Sequence, residues 1–428
     1  MPYHSGMTPT DYYYKRIREY REKGDKFNKL ETHLSMARLI TFLSGITLFF
    51  VFLSVSISTA VIILAIGMTL FGWLVNYHSK TEQNKLFCRY FEIINDRELH
   101  CINGRFHEYP DGSEYINRDH ENSYDLDLFG HSSVFQFINR TTSKPAADIL
   151  AKWLKEPASI EEINLRQQAF LELKDQIDWR QKLNSLAYSN SHGSNDPAIL
   201  VRWVQEEIPG NQKYLKAIIY SLSALALGST ILVALFRLPF SLLMIAYSIN
   251  FIYYFSQAKK ISKVHFQVSK SSEMLKSYAS TIRLIEDNRF NCIKLKELHN
   301  IFTRNTKVSE EIGLLSKLVN RLDARLNIMV AIPLNLYFFW DIQQCIALEN
   351  WKKRHGNEIS DWFSGMAEFE VLSCFANMAF NNPEWTTPVI VPEYFKLEAK
   401  SAGHPLIPIV RRVANSFSVS GSGKTVIV

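Results

Sequence analysis

Two stretches without a single charged residue constrain this chain more than anything else in it. Leu39–Val55 (LITFLSGITLFFVFLSV) and Ser58–Val75 (STAVIILAIGMTLFGWLV) lie almost back to back. Ala217–Phe236 (AIIYSLSALALGSTILVALF) and Leu238–Phe255 (LPFSLLMIAYSINFIYYF) repeat the plan, with Arg237 and Pro239 at the turn. A helix needs about 20 apolar residues, in a range of about 17 to 25, to cross a hydrocarbon layer about 30 Å thick. Each stretch is near the lower limit, and each pair is too long for one crossing, so each pair predicts a helical hairpin. A helix that is apolar on every face is a membrane span or the core of a large protein. The mean hydropathy of −0.09 hides these blocks because it averages them with polar surroundings.

Flanking charge orients the hairpins. Lys26, Lys29 and Arg38 precede the first, and Lys80, Lys85 and Arg89 follow it. Lys213 and Lys216 precede the second, and Lys259, Lys260 and Lys263 follow it. The expectation is a multi-pass protein of the inner (cytoplasmic) membrane with its large segments, Ser123 and His355 included, in the cytoplasm. The first block starts too far from Met1, and is followed too soon by a second, to be a cleavable signal peptide. Ile328–Trp340 (IMVAIPLNLYFFW) is shorter, contains Pro333 and Asn335, and ends against Asp341. It is expected to be a buried cytoplasmic helix, with a stop or kink at Pro333.

The remaining chain reads as mainly helical. Residues 8–35 begin at a Thr8/Asp11 capping region and suggest an amphipathic helix at the inner membrane surface. From Leu126 to Ile208 the apolar spacing is helical, with a start signal at Ser159, Glu161 and Glu162. Val308, Ile312, Leu315, Val319, Leu322, Leu326 and Met329 alternate steps of four and three, a seam for packing on another long helix. After Asn382-Pro383 the texture becomes β-rich, with short strands expected at Pro388–Val391, Phe417–Val419 and Val426–Val428. Ending on an apolar strand suggests a truncated chain. The expected domains are 1–38 (N-terminal segment), 39–75 (first hairpin), 76–125 (connector), 126–210 (helical core, first part), 211–258 (second hairpin), 259–385 (lever and core helices) and 386–428 (start of a further domain).

Chemistry is sparse. Five cysteines lie far apart with no CxxC pair, which argues against a zinc ribbon, an iron–sulfur site or a disulfide scaffold. Lys plus Arg number 48 against 42 for Asp plus Glu, a weaker excess than dedicated nucleic-acid modules carry. Ser422-Gly423-Lys424-Thr425 looks like a phosphate loop but has Ser418 where the pattern needs its first glycine, and it opens a strand instead of a helix. His131 and His404 are lone histidines.

Leu128–Leu183 resembles the core helical domain of the MutS family, whose pattern is "sLf..lnrT.T..G...L..WL..P......I..R". The matching residues are Phe135, Asn139, Arg140, Thr141, Leu150, Trp153, Leu154, Pro157, Ile163 and Arg166, with Ser143-Lys144-Pro145-Ala146 replacing the usual glycine. Gly365–Asn382 resembles the helix leading into that family's ATPase domain. Gly403-His404-Pro405-Leu406 is similar to its "RHPl" element, with Gly403 in place of the arginine. Val413-Ala414-Asn415 with Phe417 resembles the segment before its Walker A strand.

The resemblance implies a fold that is mainly α. It comprises a helical core and lever domain, to which the two transmembrane hairpins read from the charge-free runs are added, plus the first β-rich part of an α/β ABC-type ATPase domain. It further implies that His404, Pro405, Val413, Asn415 and Phe417 lie near a nucleotide. The chain itself carries neither Walker A nor Walker B, so ATP and Mg2+ are expected only for a longer parent, which would dimerise through its ATPase domain. DNA, membrane lipid and a protein partner are the expected ligands, with Arg283, Lys294, Lys296 and Arg304 as DNA-facing candidates. Mismatch readers of the family use a Phe-x-Glu motif; this chain has Phe106-His107-Glu108 and Phe170-Leu171-Glu172. An ABC-type exporter half and a membrane scaffold without enzymatic activity are the alternatives.

Overall fold

The computed structural model describes residues 7–421 apart from 118, 121–122, 124, 192–196, 207–211, 270, 305, 393–395 and 409–410. The GKT segment and the strand expected at 426–428 lie outside the described residues. The chain divides into two units, Met1–Ser189 with Glu370–Val428, and Asn190–Phe369.

The first unit is built on two very long helices, α1 (Pro9–Leu53) and α2 (Ile57–Ile102). Thr8 caps α1 by accepting a hydrogen bond from the Asp11 amide at 3.2 Å, and Pro9 supplies the fixed φ favoured in the first turn. The turn at 54–56 sends α2 back along α1. Gly45 and Gly67 let the apolar halves approach closely, since a Cβ on Gly67 would sit 3.7 Å from the Gly45 Cα. Beyond the apolar halves the pair continues as a polar stalk. It is held by Arg21 Nε to Glu92 Oε1 at 2.8 Å, by the Lys85–Glu31 ion pair, and by Tyr20 stacked on Phe91.

This differs from a separate N-terminal surface helix. Residues 9–35 continue directly into the apolar stretch, and Tyr13 and Ile17 pack into a core with Leu99, Ile177 and Phe380. Tyr12 and Tyr13 meet Phe380 edge-to-face, so these two rings serve protein packing, whereas Tyr14 is exposed.

Four shorter helices follow in this unit: α3 (Val134–Ile138), α4 (Lys144–Lys155), α5 (Ile160–Lys174) and α6 (Ile177–Ser191). Helix α6 meets the stalk through Asp178 with Tyr12 and Gln181 with Asn95. Ser133, Ser143 and Ser159 cap α3, α4 and α5 through their side-chain oxygens.

The second unit starts with α7 (Pro197–Gln205) and the hairpin of α8 (Gln212–Phe236) and α9 (Ser241–Val268). Arg237 takes a left-handed φ of 50° at its turn. Then come α10 (Ser272–Glu286), α11 (Ile293–Thr303), α12 (Val308–Asp323), α13 (Ile328–Phe338) and α14 (Trp340–His355). Helix α15 (Ile359–Asn381) runs from the second unit into the first. It is followed by an antiparallel ribbon of β1 (Lys396–Ala402) and β2 (Asn415–Ser420), paired Lys396↔Ser420 through Ala399↔Phe417.

Among the described residues three helices are long and apolar enough to cross a membrane: α1, α2 and α8. Helix α9 falls outside that set because Tyr247, Asn250, Tyr253 and Tyr254 interrupt its apolar run.

The seam on α12 is real for five of its seven positions. Val308, Ile312, Leu315, Val319 and Leu322 are buried, whereas Leu326 and Met329 are exposed because the helix stops at Asp323. The stretch after it is helical, but it is not buried. Ile328, Met329 and Ile332 face outward, and α13 packs on one side only, against α8 and α9. Pro333 sits inside α13, and the chain instead breaks at 324–327 and at Phe339, which has a left-handed φ of 50°. Pro388–Val391 forms no strand; β1 lies further on.

Truncation separates the two halves of the seam. Leu315→Ala is expected to cost about 2–5 kcal/mol in chemical unfolding, the usual range for emptying a packed core site. Met329→Ala should change stability by less than about 0.5 kcal/mol, as exposed substitutions do.

Candidate functional site

Asn139-Arg140-Thr141 follows α3, where the Asn139 side chain shapes the loop. Its Oδ1 accepts from the Thr141 amide (2.9 Å) and hydroxyl (2.7 Å), and its Nδ2 donates to the Pro110 carbonyl. That folded loop aims Arg140 into the unit. The Arg140 Nε and Nη2 donate to Glu98 Oε1 and Oε2 at 2.5 and 3.2 Å, and Nη1 donates to the Phe137 carbonyl at 2.8 Å. The guanidinium lies 3.9 Å from the Tyr109 ring centroid.

Glu98, carried by α2, also accepts from the Tyr109 hydroxyl (3.0 Å) and from Asn381 Nδ2 on α15 (2.8 Å). The two charged side chains are 4 % and 8 % exposed. One buried pair therefore ties the stalk helix, the Asn-Arg-Thr loop and the end of α15 together.

A second carboxylate closes the other side of the loop. Glu370 on α15 accepts from the Thr142 amide (3.0 Å) and hydroxyl (3.1 Å) and from the Ser143 hydroxyl (3.1 Å). Among the described residues no cation pairs with it, and burial pushes its carboxyl above the ordinary value despite those donors. For Glu98 burial acts the same way, but Arg140, Asn381 and Tyr109 outweigh it and hold the carboxyl below the ordinary value. Burial raises the nearby Cys374 thiol to about 12, so it is inert as a nucleophile at neutral pH.

Arg140 lines two small cavities. One, of about 30 Å³, is lined by Glu98, Arg180, Gln181, Glu370 and Asn377, and it has room for one or two waters. The other, of about 140 Å³, lies between Cys101, Phe106, Trp385, Pro405, Leu406 and Arg412.

The other motif residues have packing roles. Phe135 and Leu150 are buried; Trp153 carries the Arg166 guanidinium 3.8 Å from its ring centroid, while Glu162 fixes Arg166 at 2.7 Å. Pro157 is exposed in the link between α4 and α5. Of the residues expected near a nucleotide, Pro405 lines the larger cavity, while His404, Val413, Asn415 and Phe417 are exposed on or beside the ribbon. A Cβ at Gly403 would come within 2.5 Å of Arg412 Cδ, so Arg412 fills the space beside Gly403. Its guanidinium lies 5.4 Å from the Trp385 ring centroid.

Phe106 is 3 % exposed and edge-on to Phe137, so it is unavailable as a wedge between bases; Phe170 lies in α5 near Phe375. His131 stacks on His107. Lys294 is paired with Glu368 at 2.8 Å, which removes it from the DNA-facing candidates; Arg283, Lys296 and Arg304 are exposed. Ser123 and His355 are buried, so neither reports topology by labelling. Among the described residues no cluster of His, Cys, Asp or Glu has the make-up of a metal site.

Sequence reasoning missed Glu98, Glu370 and Asn381, the partners of the loop. Glu370 lies within the Gly365–Asn382 segment, but an acidic residue inside an apolar helix was its only signal. No family model, curated protein or solved structure matches the chain.

The two carboxylates have opposite linkage to pH. A carboxyl held below its unfolded value, as in Glu98, adds stability that is present above the unfolded value and lost as pH falls through the native one. Glu370, held above its unfolded value, contributes fully below that value, and its contribution is lost as pH rises through the native one. Glu98→Gln is therefore expected to lower stability at pH 7 by about 3–5 kcal/mol, because it strands a buried Arg140. Glu370→Gln should hold or raise the melting temperature at pH 8. Thermal unfolding in detergent at pH 5 and pH 8 separates the two.

Proposed function

We propose that this chain is the membrane-anchored helical part of a MutS-like ATPase, in which cytoplasmic helices transmit movement between a nucleotide-driven domain and the membrane. The observation that carries this reading is the path of α2. It is one unbroken helix from the apolar stretch to Glu98, where Arg140 and Asn381 clamp it to the end of α15. The loop supplying Arg140 is the segment that resembles the family's core. One helix that starts in the apolar stretch and is joined near its far end, by a buried ion pair, to the helix leading into 386–421 forms a mechanical link rather than a catalytic centre. The ribbon of β1 and β2 exposes Leu397 and Phe417, and a two-stranded ribbon gains independent stability by joining more strands or packing on a helix. That favours a larger α/β domain built on it, with ATP and Mg2+ held there and a second copy as partner.

The membrane topology we infer is four spans, α1, α2, α8 and α9, in the inner membrane, with short turns outside. The basic residues flanking both hairpins support it. So does the way α9 directs its polar groups inward: the Tyr247 hydroxyl meets Thr230 on α8 at 2.7 Å.

Purified in detergent, the product of the intact gene is expected to hydrolyse Mg-ATP. Failure to bind and hydrolyse nucleotide overturns the ATPase and leaves a scaffold. If DNA is the ligand, neutralising Arg283, Lys296 and Arg304 should reduce the salt dependence of binding, by about 0.9 in log–log slope for each phosphate no longer neutralised. An unchanged slope points to a protein partner. An impermeant maleimide should leave Lys152→Cys and Lys276→Cys unlabelled in intact cells and label both after lysis. Labelling of either from outside overturns the four-span topology.

A further inference from the structure

Leu326–Trp340 carries no charged residue, and its backbone leaves the α12–α14 pair only to return to it. On the way out, Arg325 Nη2 lies 3.5 Å from Ser262 Oγ on α9. On the way back, the Trp340 indole N–H donates to the Arg321 carbonyl at 2.9 Å. Asp341 lies 3.5 Å from Arg325 Nε, so the charged residues on either side of the apolar segment touch each other.

Between them α13 reaches well along α9. The Leu336 carbonyl accepts from Asn250 Nδ2 at 2.9 Å, and the Tyr337 hydroxyl accepts from that of Tyr247 at 2.7 Å. From Ser262 to Tyr247 is about 22 Å at 1.5 Å per residue, well inside the apolar half of α9.

The distribution of polarity is inverted relative to a water-facing helix. Ile328, Met329, Val330, Ile332 and Phe338 point outward, with Met329 81 % exposed. Asn335 is buried and uses its side chain internally, donating to the Ala331 carbonyl and accepting from the Asp341 amide at 2.9 Å. Phe339, where the backbone turns left-handed, is fully buried beside Tyr253. Irregular backbone at membrane depth is tolerated only where protein covers it and its polar groups are satisfied. The outward side chains continue the apolar surface of α8 and α9, where Leu232, Leu235, Ile245 and Ile252 are also exposed.

We propose that Leu326–Trp340 is a re-entrant membrane segment whose outward face is covered by lipid acyl chains, entering and leaving by the side from which α9 emerges. Eleven residues of helix span about 16 Å, half of the hydrocarbon layer, so α13 is too short to cross and suited to dipping in. The exposed residues of α13 itself are all apolar, the exposed Asn327 lying just before its first turn, and a face without interspersed polar groups favours lipid over a second copy of the chain. This inference rests on the membrane reading of α8 and α9.

The test incorporates photoreactive p-benzoylphenylalanine, one site at a time, at Met329 and Ile332, with Ile66 and Leu232 in the spans and Lys276 outside them as references. The full chain is reconstituted in phosphatidylcholine–phosphatidylglycerol vesicles, irradiated and analysed by mass. Positions 329 and 332 are expected to gain the mass of one phospholipid in yields comparable to 66 and 232, with none at 276. Lipid adducts at 66 and 232 but not at 329 or 332 overturn the re-entrant segment while leaving the spans intact. A crosslinked dimer from 329 or 332 overturns it in favour of a second copy. No lipid adduct at any position overturns the membrane reading and this inference with it.

Discussion

The first unit depends on keeping one ion pair out of water. Removing a carboxylate and a guanidinium from solvent costs several kcal/mol per ion, and only close geometry with extra hydrogen bonds compensates. Glu98 and Arg140 meet that demand together: two contacts between them, plus Tyr109, Asn381 and the Phe137 carbonyl. Each of these partners comes from a different part of the chain. The stalk helix must be long enough to deliver Glu98, the Asn139 side chain must fold its loop to deliver Arg140, and α15 must end where Asn381 reaches the pair. A polar cluster that is satisfied only in one arrangement specifies that arrangement more sharply than apolar packing does.

Along the apolar parts of α1, α9 and α13 most aliphatic side chains lie outside, while aromatic, amide and other polar groups are turned toward protein neighbours. Helix α1 is exposed along its apolar half yet buries Tyr13, Ile17 and Leu34. Helix α9 turns Tyr247 and Asn250 toward α8 and α13 while Phe251 and Ile252 face out. The same residue types thus separate by environment, the aromatic and amide groups meeting partners within the protein and the aliphatic groups left to whatever medium surrounds the helices. A helix with this polarity is stable only where that medium is itself apolar.

Much of this was legible. Charge-free runs are a composition signal that needs no partner to read, so the hairpins and their turns near Ser56 and Arg237 could be placed directly. The caps at Thr8 and Ser159 are equally local, since an N-cap acts on amides two or three residues away. The seam on α12 was legible as far as Leu322; beyond it the period continued through Leu326 and Met329, although the helix had stopped. Periodicity reports which face would be shared, not where the backbone turns. The amphipathic pattern of residues 8–35 does not tell a lipid surface from a protein core, because aromatic residues such as Tyr12 and Tyr13 suit both.

What the amino-acid sequence determines by itself is everything set by neighbours along the chain: apolar length, helix starts, the order of segments and the absence of a paired cysteine framework. What only the tertiary structure decided are the pairings across distance. Glu98 meets Arg140 across 42 residues and Asn381 across 283, and Glu370 reaches back to Thr142 across 228. Little local marks those carboxylates beyond the apolar helix around Glu370, because a glutamate in a helix is ordinary until burial leaves it one set of donors. The exposure of α13 was likewise undecidable from its composition: an apolar helix of that length fits a protein core or a lipid layer equally well, and only the position of its neighbours separates the two.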